Sequence, residues 1–207
     1  MTAAEGLRER KKRLTRRRIS DTATALFLER GFDAVTVVEV ARACEVSEKT
    51  VYNYFPTKES LVLDREAAWT GAVRRALGPD GPPGSPVAAV VAAIEEELDE
   101  FLGGVSSDGL RDASAVRRVA ELIGRTPALR AANDELAARV VDAAAEAVAA
   151  RLGAAPDDPE PQIVAVAVVG LWRVLFGSLH RHGPARADVL ADVGRAARLL
   201  ETGLQLL

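Results

Sequence analysis

The side chains with the clearest chemical potential lie in residues 36–58, which read TVVEVARACEVSEKTVYNYFPTK. Within a short stretch, an ammonium, a hydroxyl, two phenols and an amide follow one another. Such groups suit phosphate oxygens and the base edges of a DNA major groove. No glycine-rich phosphate loop or metal-binding signature accompanies them. The residues are Lys49, Thr50, Tyr52, Asn53 and Tyr54.

Two short helices joined by a tight turn would position these side chains. Thr36 and Glu39 have the spacing of a capping box, so a helix is predicted to begin directly after Thr36. Ser47 is a good N-cap for the next helix, and Val51 and Phe55 give that helix a buried side at i, i+4 spacing. The polar residues then fall mostly on its exposed side. This pattern predicts a helix-turn-helix.

Residues 16–63 resemble the DNA-binding domain of the tetracycline-repressor (TetR) family of bacterial transcription regulators. The resemblance covers roughly a quarter of the chain and is carried by Ile19, Ala23, Phe27, Glu29, Arg30, Gly31, Phe32, Thr36, Val40, Ala41, Val46, Ser47, Thr50, Val51, Tyr52, Tyr54, Phe55, Pro56, Thr57, Lys58, Glu59 and Leu61. Glu45 departs from the family pattern, because many members carry Gly at this turn position. If Glu45 has a positive φ, the strain costs about 1 kcal/mol relative to Gly.

The resemblance and the chemistry together predict a DNA-contacting surface. Lys49, Thr50, Tyr52, Asn53 and Tyr54 are expected to contact DNA, with Thr36, Ser47 and Lys58 on phosphates. Thr36 and Ser47 lie at helix N-termini, where free N–H groups favour an anion. Lys58 lies in the first turn of a helix, an unfavourable place for a cation unless a phosphate is near.

A basic cluster precedes this segment. Residues 1–18 contain eight Lys or Arg against Glu5 and Glu9. Residues 1–60 carry a net charge of +3 and residues 61–207 a net charge of −6, and such asymmetry points to nucleic acid at one end. Residues 1–13 are interpreted as a flexible basic arm. The basic cluster from Arg8 to Arg18 either reaches around DNA as an arm or is a solubilising tail. The arm is favoured, with Arg13, Arg16 and Arg17 as its DNA contacts.

The composition indicates an all-α protein. Of the 207 residues, 48% are hydrophobic and only 4% aromatic, and no strand-like alternation occurs. We expect about nine helices. A helix-turn-helix DNA-binding domain of three helices is expected at residues 14–56, with its first helix over residues 14–30. A helical body for effector binding and dimerisation is expected at residues 57–207, with Thr57 as the N-cap of the fourth helix.

Cysteine usage and hydropathy bear on the compartment. The single cysteine, Cys44, suits a reducing cytosol and is expected to be a small buried apolar residue. No signal-peptide pattern is visible. The apolar run at residues 163–172 is followed by Arg173 and is shorter than the roughly 20 residues of a membrane span. We expect a cytoplasmic protein that is associated with the nucleoid when bound to DNA.

The last two predicted helices, at residues 162–181 and 186–206, carry more apolar side chains than one neighbouring helix can bury. The first of them is apolar almost all round, and the second carries a leucine-rich seam at spacings of three and four. The TetR resemblance implies that the same helix pair from a second subunit completes a dimer interface, whereas an interior position in a monomer is the alternative. The expected interface residues are Ile163, Val166, Leu171, Leu190, Val193, Ala197, Leu200 and Leu204.

The resemblance also implies a small-molecule effector pocket among the middle helices. Its expected lining is Trp69, Leu98, Phe101, Leu122, Arg118, Asn133, Val140, Trp172 and Phe176, although apolar residues at such spacing also form ordinary cores. No cofactor or metal is expected. His180 and His182 lie at a helix end without a nearby Cys or carboxylate cluster.

The sequence therefore predicts a one-component transcriptional repressor. It is expected to bind a palindromic double-stranded DNA operator as a homodimer and to release it on binding a small molecule. Two alternatives remain: an effector-independent DNA-binding regulator and a helical protein-interaction scaffold. An enzyme is disfavoured, because one cysteine and two histidines leave little acid–base or nucleophilic machinery.

Overall fold

A computed structural model describes residues 6–105, 113–183 and 185–203. Within these ranges the secondary structure is helical and contains no strand, which confirms the all-α prediction. A 3-10 turn at Glu59–Leu61 lies between the third and fourth helices. The α-helices are α1 (Leu7–Arg30), α2 (Val37–Ala43), α3 (Glu48–Tyr54), α4 (Glu66–Leu77), α5 (Pro86–Val105), α6 (Ala113–Arg125), α7 (Pro127–Leu152), α8 (Pro159–His182) and α9 (Arg186–Glu201).

The chain folds as two compact units. The first comprises residues 1–64 and 122–132, and the second comprises residues 65–121 and 133–207. The helix-turn-helix segment therefore shares its unit with the 3-10 turn, the end of α6 and the start of α7. The sequence-based boundary at residue 56 precedes that turn.

One apolar core holds the first unit together. Ile19, Ala23 and Phe27 of α1 are fully buried at i, i+4, i+8 spacing. The ring of Phe27 lies 5.0 Å from that of Phe32, a distance typical of interacting aromatic pairs. Leu129, at the start of α7, is fully buried in the same core. The remaining buried members are Val35, Val37, Val40, Ala41, Cys44, Val51, Phe55 and Leu61.

The first helix is longer than predicted. α1 begins at Leu7 with Gly6 at its N-cap, whereas the sequence pattern placed the start at residue 14. Arg, Lys and Glu are good helix formers, and no Gly or Pro interrupts residues 7–30. The basic residues up to residue 13 are therefore the first turns of α1. The helix ends at Gly31, whose φ of 88° favours a residue without a Cβ.

Thr57 caps a 3-10 turn and not the fourth α-helix as predicted. Its hydroxyl accepts a hydrogen bond from the Ser60 N–H at 3.1 Å, and its own N–H donates to the Ser60 hydroxyl at 3.2 Å. These reciprocal bonds satisfy the turn locally and bring Leu61 into the core of the first unit. The α-helix resumes only at Glu66.

In the second unit, α8 packs against α9, α5 packs against both, and α4 packs against α5. The core includes fully or almost fully buried residues from four helices: Ile94 of α5, Leu136 of α7, Leu171 of α8 and Val193 of α9. This arrangement covers one side of α8 and α9 with apolar side chains.

Among the described residues, α8 is the one helix long and apolar enough to cross a membrane by length and composition. Its mean hydropathy over 18 residues is 1.8, and 44% of that window is buried. Core helices of helical bundles have the same composition. Three large apolar side chains of α8 are exposed: Ile163, Val166 and Phe176 are 66%, 54% and 43% exposed.

Candidate nucleic-acid interface

The predicted capping box starts α2. The Thr36 hydroxyl accepts a hydrogen bond from the Glu39 N–H at 3.3 Å, and the Thr36 N–H donates to the Glu39 carboxylate at 2.8 Å. Arg30, in the last turn of α1, donates to the same carboxylate at 2.6 Å. The Thr36 N–H and the Arg30 guanidinium lower the pKa of Glu39 from 4.5 to about 2. The carboxylate is therefore ionised near neutral pH and ties α2 to the end of α1.

The turn between α2 and α3 contains a strained residue. Glu45 has a φ of 53°, the conformation that Gly adopts most easily. The turn leads to Ser47, whose hydroxyl accepts a hydrogen bond from the Thr50 N–H at 3.1 Å. Ser47 is thereby confirmed as the N-cap of α3.

One side of α3 presents polar side chains to solvent. Lys49 and Asn53 are exposed and Tyr52 is 46% exposed, whereas Val51 is buried. Positions 49, 52 and 53 are separated by three and four residues, so they share a helix face. We call Lys49, Tyr52 and Asn53 the α3 face. Its ammonium, phenol and amide can bond phosphates and base edges.

Two further residues predicted to contact DNA are less accessible. Thr50 is half-buried and its hydroxyl lies 2.7 Å from that of Ser47. Tyr54 is also half-buried, and its side chain packs against the core of the first unit. Both residues lie beside the α3 face and not at its centre. Thr36 and Ser47, at the starts of α2 and α3, are exposed.

Lys58 makes contacts within the first unit. Its ammonium donates a hydrogen bond to the Phe32 carbonyl oxygen at 2.6 Å and lies 4.3 Å from the centre of the Phe32 ring. A charge-assisted hydrogen bond and a cation–π contact therefore hold the side chain in place. An ammonium has three N–H donors, so this carbonyl bond is compatible with a phosphate contact.

The Arg16 side chain turns toward the end of α3. Its Nε donates to both Asp64 carboxylate oxygens, at 2.8 and 3.0 Å, and its Nη1 donates to the Tyr54 carbonyl oxygen at 2.6 Å. The guanidinium carbon lies 4.6 Å from the centre of the Phe55 ring. Arg16 was predicted to contact DNA from a flexible arm, and in the structure it joins α1, α3 and the segment after the 3-10 turn.

The other two arginines predicted to contact DNA lie on α1 as well. Arg13 is exposed. Arg17 is half-buried and forms an ion pair with Asp21 at 3.6 Å, four residues along the helix. Both therefore belong to α1 and not to a flexible arm.

Helical periodicity indicates on which side of α1 Arg16 lies. It precedes Ile19 by three residues and Ala23 by seven, so it lies on the buried side of α1. The role of Leu129 had no comparable local signal, because this residue is distant in sequence from the rest of the core that it joins.

Several residues expected to line an effector pocket lie in the second unit. The rings of Trp69 and Phe176 are in contact, with centroids 5.2 Å apart. Trp172 is only 4% exposed, and its indole N–H is buried without a hydrogen-bond partner in the described part of the chain. Leu98 and Val140 are buried. A buried indole N–H usually finds an acceptor, so this donor stands out.

The remaining pocket candidates differ in their surroundings. Leu122 packs against the core of the first unit. Arg118 is exposed and Asn133 is half-buried. The Phe101 side chain lies outside the described residues.

The residues predicted to form a dimer interface separate into two groups. Ile163 and Val166 of α8 are exposed. Leu171, Val193 and Ala197 are buried within the second unit, so these three already have apolar neighbours in their own chain. Leu190 and Leu200 are half-buried, and Leu204 lies outside the described residues.

The two histidines lie near an ion-pair cluster. Asp192 accepts hydrogen bonds from Arg181 at 2.6 Å and from the Ser178 hydroxyl at 2.8 Å, and both contacts hold its pKa well below the ordinary value. The His182 Nε2 lies 3.3 Å from the same carboxylate, and His180 is exposed. In the described ranges, no group of three or more His, Cys, Asp or Glu side chains could hold a metal ion.

Comparison with sequence families accounts for most of the chain. Residues 19–64 match the family model described as bacterial regulatory proteins, tetR family. Residues 85–205 match the model described as the MftR C-terminal domain. The first match covers α2, α3 and the α3 face.

Individual proteins show the same similarity. The chain is 30% identical over 171 residues to the HTH-type transcriptional regulator TcmR of Streptomyces glaucescens, with 82% of this chain and 75% of that protein covered. The SmeT–triclosan complex matches with a TM-score of 0.57 at 18% identity, over 90% of this chain and 89% of that one. Native NalD of Pseudomonas aeruginosa, described as the secondary repressor of the MexAB-OprM multidrug efflux pump, matches with a TM-score of 0.51 at 21% identity, over 89% and 96% of the two chains. These two structures share the fold.

Proposed function

Because this chain belongs to the TetR family of DNA-binding transcription regulators, we propose that it represses its target genes by binding a palindromic operator as a homodimer. A small molecule bound in the second unit would release the operator. The observation that carries this proposal is the α3 face, whose polar side chains lie on a short helix backed by a fully buried core.

The α3 face would enter the major groove. Asn53 can make two hydrogen bonds to an adenine, and Lys49 can bond the O6 and N7 acceptors of a guanine. The Tyr52 hydroxyl would bind a phosphate beside the groove. Around the face, Thr36, Ser47, Thr50, Tyr54 and Lys58 would complete the contact surface, with the basic side chains of Arg13 and Arg17 on α1.

Dimerisation would bring two α3 faces onto one duplex. Two identical units related by a two-fold axis bind two inverted half-sites. The dimer therefore binds DNA with higher affinity than one short helix could alone. The exposed Ile163 and Val166 of α8 are apolar residues that a second subunit would bury. Burial of this apolar surface would stabilise the dimer. It would also explain the apolar composition of α8 in a cytoplasmic protein without a membrane.

The effector is proposed to bind near Trp172. The unpaired indole N–H is a donor for an acceptor group of the ligand, and the Trp69–Phe176 ring pair, Leu98 and Val140 supply apolar and aromatic surface in the same unit. To release DNA, the ligand must bind the DNA-incompetent state more tightly than the DNA-competent state. Both tryptophans of the chain, Trp69 and Trp172, belong to this set, so a ligand that releases the operator should also change the intrinsic fluorescence.

The experiment that tests operator binding is a titration of the purified protein against DNA flanking its own gene. Tyr52→Ala should weaken binding by about 1–3 kcal/mol, which is roughly fivefold to 150-fold. Arg130→Ala, which changes an exposed residue of the same unit that is not part of the α3 face, is the matched control and should bind like the unmodified protein. Equal affinities for all three proteins would refute the assignment of the α3 face.

A further inference from the structure

A positively charged side chain from α1 lies at the C-terminal end of α3. α3 has no basic residue in its own last turn. The last carbonyl oxygens of a helix lack intrahelical partners, and the helix dipole favours a positive charge there. Arg16 of α1 supplies that charge by donating from Nη1 to the Tyr54 carbonyl oxygen at 2.6 Å, across 38 residues of sequence.

Two further contacts hold the Arg16 guanidinium in this position. The Asp64 carboxylate accepts hydrogen bonds from Nε and from Nη2, which is the two-point geometry that only arginine offers. The guanidinium also lies over the ring of Phe55, which is fully buried directly after α3. Asp64 and Phe55 thus fix the direction from which Arg16 reaches Tyr54.

We propose that Arg16 is a positioning residue for operator recognition: it caps α3 and holds the α3 face at a fixed angle to α1. Tyr52 and Asn53 lie in the turn whose end Arg16 caps. A helix of seven residues has few hydrogen bonds of its own and frays easily without outside support. The proposal rests on the proposed function, since it assumes that the α3 face binds the operator.

A positioning residue and a phosphate ligand differ in their effect on salt dependence. A side chain that neutralises a phosphate contributes about 0.9 to the slope of log affinity against log salt concentration. A residue that positions α3 changes the fit to the specific site and leaves that slope unaltered. It also leaves binding to unrelated DNA unaltered, because such binding is mainly electrostatic.

The experiment compares Arg16→Gln, Arg16→Lys and Asp64→Asn with the control Arg130→Gln. Arg130 is exposed and belongs to the same unit, so the control removes the same charge from the same part of the protein. The probes are the duplex footprinted in DNA flanking the gene and a scrambled duplex of equal length and composition. Affinity for both is measured over a series of salt concentrations, together with amide hydrogen exchange of α3 and the thermal unfolding transition.

We expect Arg16→Gln to weaken operator binding about tenfold relative to Arg130→Gln, while affinity for the scrambled duplex and the salt slope match the control. Amide exchange in the last turn of α3 should become faster. Asp64→Asn should change the same quantities in the same direction. Arg16→Lys should restore operator binding only partly, because an ammonium cannot hold Asp64 in two-point geometry and Tyr54 at once.

Two results would overturn the proposal. One is a salt slope lower by about 0.9 in Arg16→Gln with full rescue by Arg16→Lys, which identifies a phosphate ligand. The other is operator affinity in Arg16→Gln equal to that of the control. If Arg16→Gln has no cooperative unfolding transition, Arg16→Lys and Asp64→Asn decide by the same readouts. Tyr52→Ala is measured in parallel. Normal operator binding by Tyr52→Ala would refute the role of the α3 face in the proposed function, whereas weakened binding by Tyr52→Ala together with normal binding by Arg16→Gln would refute only this inference.

Discussion

Glu45 adopts a backbone conformation that costs an L-residue free energy, because its φ is 53°. Replacing it with glycine should raise the free energy of unfolding by about 1 kcal/mol, measured by denaturant titration. Asp33→Gly is the matched control: it also removes one carboxylate from an exposed turn of the first unit, but Asp33 has no positive φ. There the added freedom of the unfolded chain should lower stability. A gain in Asp33→Gly equal to that in Glu45→Gly would contradict this account of the strain.

Single residues were predictable where their partners are close in sequence. Thr36, Glu39 and Ser47 were assigned correctly as caps, because a cap bonds N–H groups two or three residues away. Lys58 and Arg16 were not predicted to make their observed contacts. Their long side chains bond groups 26 and 38 residues distant, Phe32 and Tyr54, and no local pattern specifies such a partner.

At the scale of elements, the junction of α1 and α2 depends on an ionised carboxylate. Glu39 accepts hydrogen bonds from the Thr36 N–H and from Arg30, and its pKa falls from 4.5 to about 2. A lowered folded-state pKa adds stability above pH 4.5, and that contribution is lost as the pH falls from about 4.5 to about 2.

Glu39→Gln should therefore reduce the thermal unfolding midpoint most at neutral pH. The difference from the unmodified protein should shrink through this window and be smallest near pH 2, as followed by circular dichroism over a pH series. Glu29→Gln, which changes an exposed carboxylate on the last turn of α1, is the charge-matched control. A constant difference between Glu39→Gln and the unmodified protein at every pH would contradict the ionised capping box.

The sequence predicted which segments form helices better than it predicted the residues at which the helices begin. α1 begins at Leu7 because charged residues with good helix propensity continue the helix without a capping signal. Thr57 is a residue type that favours the N-cap of an α-helix. The helical turn that follows it nevertheless ends at Leu61, whose side chain is buried in the core. Tertiary burial decided both the 3-10 turn and the position of α4, and sequence spacing alone does not contain that information.

At the scale of the whole molecule, the proposed dimer depends on apolar side chains that the single chain leaves exposed. Val166→Glu on α8 should dissociate the dimer at micromolar concentration, because it would place a charge in the buried interface. Light scattering with size-exclusion chromatography measures the mass, and operator affinity should fall in parallel.

Leu152→Glu, at the exposed end of α7, is the control for Val166→Glu. Leu152 is 59% exposed, close to the 54% of Val166, so the two substitutions alter solvent-exposed apolar residues to a similar degree. The control should remain dimeric and bind the operator. A dimeric Val166→Glu variant with normal affinity would show that α8 does not form the interface.

The family and the helix-turn-helix were evident from one segment of sequence, whereas the dimer interface stays a prediction. The seam of Val193 and Ala197 looked like an intermolecular surface, yet both residues are buried in their own unit. Periodicity identifies an apolar face, but it does not tell whether the same chain or another one covers it. Likewise, nothing local to Leu129 linked the start of α7 to the core that supports α3.

The central claim is that two α3 faces bind one duplex. Hydroxyl-radical footprinting on DNA flanking the gene tests it most directly. The account predicts two protected tracts of inverted sequence, with centres one helical turn of about 10 base pairs, or a whole multiple of it, apart. At a protein concentration that just saturates the operator with the unmodified protein, Tyr52→Ala should give clearly weaker protection. A single tract without two-fold symmetry, or the same protection by Tyr52→Ala, would contradict it.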